Sequence, residues 1–171
     1  MKNIAVILRA VPGSGKSTFA RKLKQHAESI GLTCSIHSSD DKFMIDGEYK
    51  FDFAKLGYNH KLNHAEFCES MNSGTNVIIG DNTNIRARDY NEYVNAAKDA
   101  GYKAIVVSFI PGSPELHFTR GVHNVPLETI TDMIDRFVVS VESADEQYTM
   151  PVSDGAIDSE YATSLILGIL T

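Results

Sequence analysis

The segment AVPGSGKST, residues 10–18, holds the residues with the clearest capacity for chemistry. An apolar run precedes it and an amphipathic stretch follows it, which is the context of a phosphate-binding loop between a strand and a helix. In such a loop, successive backbone N–H groups surround a phosphate and the positive end of the helix dipole assists them. We therefore expect a nucleotide polyphosphate to bind at Pro12, Gly13, Ser14, Gly15, Lys16, Ser17 and Thr18.

Two side chains of this loop have chemistry of their own. Lys16 can bring a mobile positive charge to the β and γ phosphate oxygens, and Ser17 can offer a hydroxyl ligand to Mg²⁺. ATP and Mg²⁺ are therefore the expected cofactors. An ordinary glycine-rich turn is the alternative, but Gly-Lys-Ser-Thr at a helix start has little structural purpose alone.

The loop departs from its usual signature at Ala10, where a glycine is normally found. An alanine fits there if its φ is negative and if the space beside its Cβ is empty. Because every expected N–H donor lies further along the chain, we predict a functional loop.

Asp40 and Asp41 follow the apolar segment TCSIHS, residues 33–38. Ligands of open α/β sheets bind at the carboxyl ends of the strands. A carboxylate at that edge can accept the proton of an attacking hydroxyl while Lys16 and Mg²⁺ hold the γ-phosphoryl group. We predict that Asp40 is this base, and we leave Asp41 open between capping a short helix and contacting the acceptor.

The segment DNTNIRARD, residues 81–89, adds a third polar group after another apolar run. Asp81, Asn84 and Arg86 are expected on the acceptor side of the site. Arg86 can hold an acceptor phosphate or can be a solvated arginine at a helix start. Asp81 can support Mg²⁺ or can orient Arg120 by a charge-assisted bond, and we favour orientation.

Alternating apolar runs and amphipathic segments must position these residues. The pattern predicts strands over 3–9, 33–38, 76–80 and 102–110. It predicts helices over 16–30, 60–72 and 88–100, a short one after the PGSP break at 111–114, and a last one over 126–147. Residues 39–59 have no clear period, so we expect a loop-rich insertion with at most short helices. This alternation indicates a P-loop NTPase fold of the kinase type, a three-layer α/β/α sandwich with a central parallel sheet.

Composition sets wider limits. With 171 residues, of which 43% are apolar, the chain is expected to form one domain over 1–171. A net charge of −6 disfavours general coating of nucleic acid. Of the 16 Lys and Arg residues, only Arg120 and Arg136 lie beyond residue 103. We therefore expect anions to bind mainly to residues 1–103. Without a signal peptide or a long apolar run, we expect a cytoplasmic protein with reduced Cys34 and Cys68.

Three motifs, VPGSGKSTFA, HSSDD and VIIGDNTN, resemble the P-loop kinases related to the kinase domain of bacteriophage polynucleotide kinase, and small cytosolic AAA-type ATP-binding proteins of that group. The resemblance covers residues 3–140. It implies transfer of a phosphoryl group from ATP to a hydroxyl, typically the 5′-hydroxyl of a polynucleotide. It also implies that Asp40 is the general base, that Asp81 supports the site, and that Arg120 lies on a lid.

The chain departs from that family in two places. His123 falls where the polynucleotide kinases carry a second lid arginine, and an imidazole supplies less charge than a guanidinium. Phe43 falls where an arginine would bind the acceptor phosphate, with Lys42 one position away. Both departures weaken the case for a long nucleic-acid acceptor.

Three functional hypotheses follow. The first is a kinase acting on a nucleic-acid end, nucleotide or nucleoside, with the acceptor-side insertion at about 39–73 and the lid at about 112–126. The second is a catalytically weak ATP-binding regulatory module, and the third is a small-molecule kinase with a non-nucleotide acceptor. The tail, 150–171, is expected to pack on the sheet through Tyr161, Leu165 and Leu167, and His60 and His64 are expected to form a solvated face rather than a metal site.

Overall fold

The computed structural model describes residues 3–137 and 143–152, together with Gly168. Within these residues, no helix is both long enough and apolar enough to cross a membrane. The strands are β1 (Ile4–Arg9), β2 (Cys34–His37), β3 (Met44–Ile45), β4 (Glu48–Tyr49), β5 (Val77–Asp81), β6 (Lys103–Ile110) and β7 (Glu146–Pro151). The α-helices are α1 (Lys16–Ser29), α2 (Leu56–Asn72), α3 (Ala87–Asp99), α4 (Pro114–Arg120) and α5 (Leu127–Asp135), and 3₁₀ turns cover Asp40–Phe43 and Phe53–Lys55.

Five strands form one parallel sheet in the order β2-β5-β1-β6-β7. The chain leaves β1 toward one edge of the sheet and later crosses to the other side of β1 through α3. The ends of β1 and β5 are therefore adjacent, and the loops that follow them meet at the carboxyl edge. This is the place where open α/β sheets bind ligands.

The sheet separates two apolar cores. Alternate residues of β1 point to opposite faces, with Ile4, Val6 and Leu8 in one core and Ala5 and Ile7 in the other. Helix α1 covers the first core, and α2 and α3 cover the second. This arrangement is the predicted three-layer α/β/α sandwich with a central parallel sheet.

The four predicted strands and the first three predicted helices are confirmed, with boundaries that differ by a few residues. Helix α2 begins at Leu56, four residues earlier than expected. The reason is the preceding 3₁₀ turn, in which the Asp52 carboxylate accepts a bond from the Ala54 N–H at 2.9 Å and leads the chain directly into the helix.

The insertion contains a hairpin that the sequence analysis did not predict. Strands β3 and β4 pair antiparallel, and Asp46 and Gly47 form the turn with φ values of 53° and 81°. Asp-Gly is a favoured pair for a two-residue hairpin turn because both residues tolerate positive φ. The signal was therefore present, but the flanking strands are only two residues long and show no alternation.

The prediction of a continuous helix over 126–147 is wrong. Helix α5 ends at Asp135, and Glu146 and Gln147 belong to β7, which pairs with β6. Met150 on this strand is buried in the core that α1 covers. Pairing with β6 and burial of this face decide the conformation here, because local helix propensity is a weak preference. The expected packing of Tyr161, Leu165 and Leu167 lies outside the described residues.

Candidate active site

The phosphate-binding loop has the backbone geometry that its glycines predict. Gly13 and Gly15 have φ values of 76° and 84°, which side chains other than glycine rarely adopt. A Cβ on Gly13 would lie 2.2 Å from the carbonyl oxygen of His117 on α4. Glycine is therefore required at position 13 both by conformation and by the close approach of α4.

Ala10 fits the loop without strain. It is not among the residues with positive φ, and its side chain is buried in the core that α1 covers. Its methyl group is thus accommodated by packing against core neighbours rather than by empty space. The Ala10 N–H donates to the Thr83 carbonyl at 3.0 Å, so the residue also joins the loop after β1 to the loop after β5.

Lys16 and Asp81 form an ion pair at the carboxyl edge of the sheet. Lys16 Nζ lies 3.3 Å from Asp81 Oδ1, and the two residues are 9% and 3% exposed. Burial away from water strengthens the attraction between the ammonium and the carboxylate. The structure thus shows a contact of Asp81 with Lys16, and the expected orientation of Arg120 by Asp81 stays a prediction.

Two oxygens at this position fit Mg²⁺. Asp81 Oδ1 is buried and makes no hydrogen bond, although it lies near Lys16 Nζ. The half-buried Ser17 lies in the first turn of α1, beside the loop. Hydroxyl and carboxylate oxygens are ligands that Mg²⁺ uses, directly or through water, together with substrate phosphates. Ser17 and Asp81 are therefore the residues that would hold the ion.

Asp40 is contacted from two separate segments. The Tyr49 hydroxyl of the hairpin donates to Asp40 Oδ1 at 3.4 Å, and His123 Nε2 lies 3.9 Å from Asp40 Oδ2. The Tyr49 and His123 rings stack with centroids 3.9 Å apart. Burial and the nearby carboxylate raise the pKa of Tyr49 to about 12, so it remains a hydrogen-bond donor. The Asp40 side chain is still 43% exposed and can be reached by a small molecule.

The residues that follow Asp40 have separate roles. Burial, and then the Asp81 and Asp40 carboxylates, raise the pKa of Asp41, so its carboxyl lies within the electrostatic reach of both. Lys42 forms an ion pair with Glu66 on α2. Phe43 is buried in the insertion with its ring centroid 5.1 Å from that of Phe51. The position at which the resembled family binds an acceptor phosphate is therefore a packing residue here.

A buried arginine that the sequence analysis did not assign supports the loop after β5. Arg9 is fully buried at the end of β1, and its guanidinium donates to the carbonyls of Asn84 and Ile85 at 3.0 and 3.2 Å. Burial lowers its pKa, and the ring of Tyr90 lies 4.4 Å from the guanidinium carbon. The available signal was an arginine at the end of an otherwise apolar strand.

Asn84 and Arg86, both predicted on the acceptor side, differ in environment. Asn84 is buried with φ 48°, and its amide donates to the Leu8 carbonyl at 2.8 Å, so the side chain holds the loop to β1. Arg86 is exposed at the start of α3, where its N–H donates to the Asp89 carboxylate at 3.0 Å. Arg120 is exposed at the last residue of α4, inside the segment 112–126 that we call the lid.

A cleft of about 470 Å³ opens between α2 and α3, beside the loop after β5. Its walls include His60, Lys61, Asn82, Thr83, Arg88 and Tyr93. His60 Nδ1 lies 2.9 Å from Ser39 Oγ, and Asn82 Oδ1 accepts from the Ser39 N–H at 2.9 Å. Two residues of the cleft wall thus contact Ser39, which immediately precedes Asp40 in the chain. A volume of this size matches that of a small-molecule site.

His60 and His64 do not belong to a metal site in the described part of the chain, where no group of three or more His, Cys, Asp or Glu residues could hold an ion. His64 instead lies 3.9 Å from Glu92 and packs against the Tyr93 ring. Both cysteines are free, and burial raises the pKa of the Cys34 thiol to about 12.

Comparison with known sequences gives a family and one relative of note. The AAA domain family AAA_33 matches residues 6–138. Human NEDD4-binding protein 2 is 35% identical over 137 residues, which are 78% of this chain and 8% of that protein. The chain thus spans less than a tenth of the length of this relative.

Comparison with solved structures shows the same fold in kinases. The Mycobacterium tuberculosis APS kinase CysC, in complex with AMPPNP and APS, has a TM-score of 0.66 and 14% identity over 99% of this chain and 98% of that chain. A chain of the Pnkp1/Rnl/Hen1 RNA repair complex has a TM-score of 0.62 and 22% identity, covering 79% of this chain and 44% of that chain. The chain thus shares the fold of these proteins.

Proposed function

The chain belongs to the AAA domain family AAA_33, and from that premise we propose that it is an ATP-dependent kinase. The γ-phosphoryl group is transferred to a hydroxyl of a nucleic-acid end, nucleotide or nucleoside. The observation that carries the proposal is the buried Lys16–Asp81 pair beside a phosphate-binding loop, with the accessible Asp40 carboxylate on the adjacent strand end. The AMPPNP complex of the structurally similar APS kinase supports ATP as the nucleotide.

In this proposal each residue of the site has one task. The loop N–H groups and Lys16 bind the β and γ phosphates, and Asp40 accepts the proton of the attacking hydroxyl. Arg120 neutralises charge on the phosphoryl oxygens as the bond to the leaving oxygen breaks. Ser17 and Asp81 would hold Mg²⁺, which would supply electrostatic stabilisation of the charge on the phosphate oxygens.

The direct test replaces the base. We expect Asp40→Asn to slow transfer from labelled ATP by about 10²- to 10⁴-fold while leaving the Kd for Mg·ATP unchanged, because the base acts only on the acceptor. Asp46→Asn is the matched control, since Asp46 is an exposed hairpin residue whose positive φ asparagine also tolerates. Equal transfer by Asp40→Asn and wild type would exclude Asp40 from the mechanism.

The cleft between α2 and α3 is the proposed acceptor site. Lys61 and Arg88 are its cationic wall residues and can bind a single phosphate of an acceptor. We expect Lys61→Ala and Arg88→Ala to raise KM for a nucleoside 3′-phosphate several-fold with KM for ATP unchanged. Lys24→Ala on α1 is the control. A panel that adds a nucleoside, a 5′-hydroxyl oligonucleotide and a sugar acid distinguishes nucleotide from non-nucleotide acceptors.

A second candidate function is a regulatory module that binds ATP without transferring its phosphate. It is favoured by the contacts of Tyr49 and His123 on Asp40, which occupy the carboxylate that transfer requires. Saturable Mg·ATP binding without transfer to any acceptor in the panel, together with nucleotide-dependent capture of a partner, would support it over the kinase.

A further inference from the structure

His117 is a fully buried histidine that the proposed mechanism does not use. It lies on α4 beneath the phosphate-binding loop, and its carbonyl oxygen is the atom that a Cβ on Gly13 would meet. Its ring touches three uncharged parts of the chain: the backbone of Pro12 and Gly13, the Ser14 hydroxyl, and the backbone of Gly112. Buried polar groups need hydrogen-bond partners, and the partners of this ring lie in two separate segments, whose relative position the ring can fix.

The contacts determine which nitrogen carries the proton. The Gly112 N–H donates to His117 Nε2 at 3.0 Å, so Nε2 must be unprotonated. A neutral imidazole has one ring hydrogen, which therefore lies on Nδ1, 3.5 Å from Ser14 Oγ. Ser14 Oγ uses its own hydrogen to donate to the Val11 carbonyl at 2.6 Å, which leaves its lone pairs available. The ring is neutral in this arrangement.

We propose that His117 is a positioning residue that holds the phosphate-binding loop and the lid helix α4 in register, so that tight nucleotide binding requires its neutral ring. One nitrogen contacts the loop, and the other fixes Gly112, where the chain turns from β6 toward α4. Arg120 lies three residues further along α4, within one helical turn of His117. A shift of His117 therefore moves the loop amides and the lid arginine together.

The charge environment of the ring supports the neutral state. Burial is the main cause that lowers the pKa of His117, and the Arg120 guanidinium lowers it further. The backbone groups of Pro12 and Gly13 raise it in part. Ser14 and Gly112, which also face the ring, carry no charge. At neutral pH the ring keeps its acceptor for Gly112, and protonation at acid pH would set two N–H groups against each other.

This inference rests on the nucleotide-binding part of the proposed function, and phosphoryl transfer is not needed to test it. The experiment measures the Kd for a fluorescent Mg·ATP analogue from about pH 8 to about pH 5.5. It compares wild type with His117→Leu, which keeps the bulk but removes both nitrogens, and with His117→Gln, whose amide oxygen can replace the acceptor for Gly112. His26→Gln, an exposed histidine on α1, is the control.

We expect His117→Leu to bind about 10-fold more weakly at neutral pH, because the Gly112 N–H loses its acceptor. His117→Gln should lie between it and wild type. Wild type and His26→Gln should lose affinity at acid pH, while both His117 variants lose less. Protonation of ATP itself also changes with pH. This effect is the same for all four proteins, so it cancels when their Kd values are compared.

The outcomes separate the two proposals. If wild type shows no saturable nucleotide complex, the proposed function and this inference both fail. If wild type binds but both His117 variants match it in affinity and pH profile, only the inference is wrong. If His117→Leu and His117→Gln weaken nucleotide binding equally and both lower Tm, the residue acts through general packing and the proposal is again wrong. A rise in Kd for the Mg·ATP analogue in His117→Leu, partly rescued in His117→Gln, supports it.

Discussion

Gly13 and Ala10 lie in the same loop, but a side-chain methyl group fits only at position 10. Gly13 has φ 76° and lies against the His117 carbonyl, whereas Ala10 is an ordinary buried residue. We expect Gly13→Ala to abolish saturable Mg·ATP binding, because the strained φ alone costs about 1–3 kcal/mol before the clash with backbone is counted. Isothermal titration with Mg·ATP measures this loss.

Ala10→Gly is the matched comparison. It removes a methyl group from a packed core and adds backbone freedom, so we expect a stability loss of about 1 kcal/mol and a Kd for Mg·ATP within about threefold of wild type. A gain of several orders of magnitude in affinity would show that the missing glycine limits the loop.

Arg9 makes a second prediction at the residue scale. Arg9→Met should lower the free energy of unfolding by about 2–4 kcal/mol, because the Asn84 and Ile85 carbonyls lose their buried donor. Urea denaturation measures the change. Lys24→Met on the surface of α1, where the Lys24–Glu28 pair is exposed, should change stability by about 0.5 kcal/mol or less. Similar values for the two variants would contradict a supporting role for Arg9.

Among the elements, β7 gives the weakest sequence signal for how much it stabilises the protein. Met150 on β7 is 8% exposed in the core under α1, while Thr149 beside it is exposed. We expect Met150→Ala to lower the free energy of unfolding by about 2–4 kcal/mol and Thr149→Ala to lower it by about 0.5 kcal/mol or less. Equal small effects in urea denaturation would mean that β7 does not stabilise the sheet.

Prediction from sequence succeeded where an element has a strong local signal. Strand β1 is apolar on both faces and α1 has a helical period with a glycine after it, so both were placed within two residues. It failed at β7, whose conformation depends on pairing with β6, more than 30 residues earlier in the chain. At the site, motif context predicts roles for Lys16 and Asp40, and these roles stay predictions. It gives no signal for the contacts of His117, Asn82 and Tyr49, because those contacts depend on which segments the fold brings together.

For the whole molecule, the buried His117 and the half-buried His37 are expected to make stability depend on pH. Burial lowers the pKa of His37 and of His117 below the ordinary value of about 6.5. At pH values between the ordinary pKa and the lowered pKa values, the unfolded chain binds more protons than the native protein. The contribution of the two histidines to the free energy of unfolding is therefore complete above about pH 6.5. It decreases as the pH falls, by at most about 1.4 kcal/mol per pH unit for each histidine.

Urea denaturation at about pH 7.5 and about pH 5.5 checks this. The double variant His37→Gln, His117→Gln should lose most of the acid sensitivity, and His26→Gln should retain it. Asp41, whose pKa is raised by burial and by the nearby carboxylates, acts in the opposite direction as the pH falls. Wild-type stability that stays constant or rises on acidification would contradict the prediction.

The overall charge predicts that the length of a nucleic-acid acceptor has little effect on its KM. The net charge is −6, and Lys42, Lys50 and Lys55 of the insertion are each paired with an acidic side chain. A long polynucleotide therefore gains few phosphate contacts. We expect KM to fall by no more than about threefold from a dinucleotide to a 20-residue oligonucleotide, and log KM to depend on log salt with a slope of about 1 or less. A steep dependence on length and salt would indicate an extended nucleic-acid site.

The sheet that separates the two cores also divides the helices that frame the two parts of the proposed site, and these parts meet at the carboxyl edge of the sheet. The nucleotide loop leads into α1 on one face, whereas the cleft is formed by α2 and α3 on the other. Substitutions that reshape the cleft can therefore accumulate without disturbing the packing beneath the nucleotide loop. A scaffold of this kind can exchange one hydroxyl-bearing molecule for another during evolution while its phosphoryl donor stays the same.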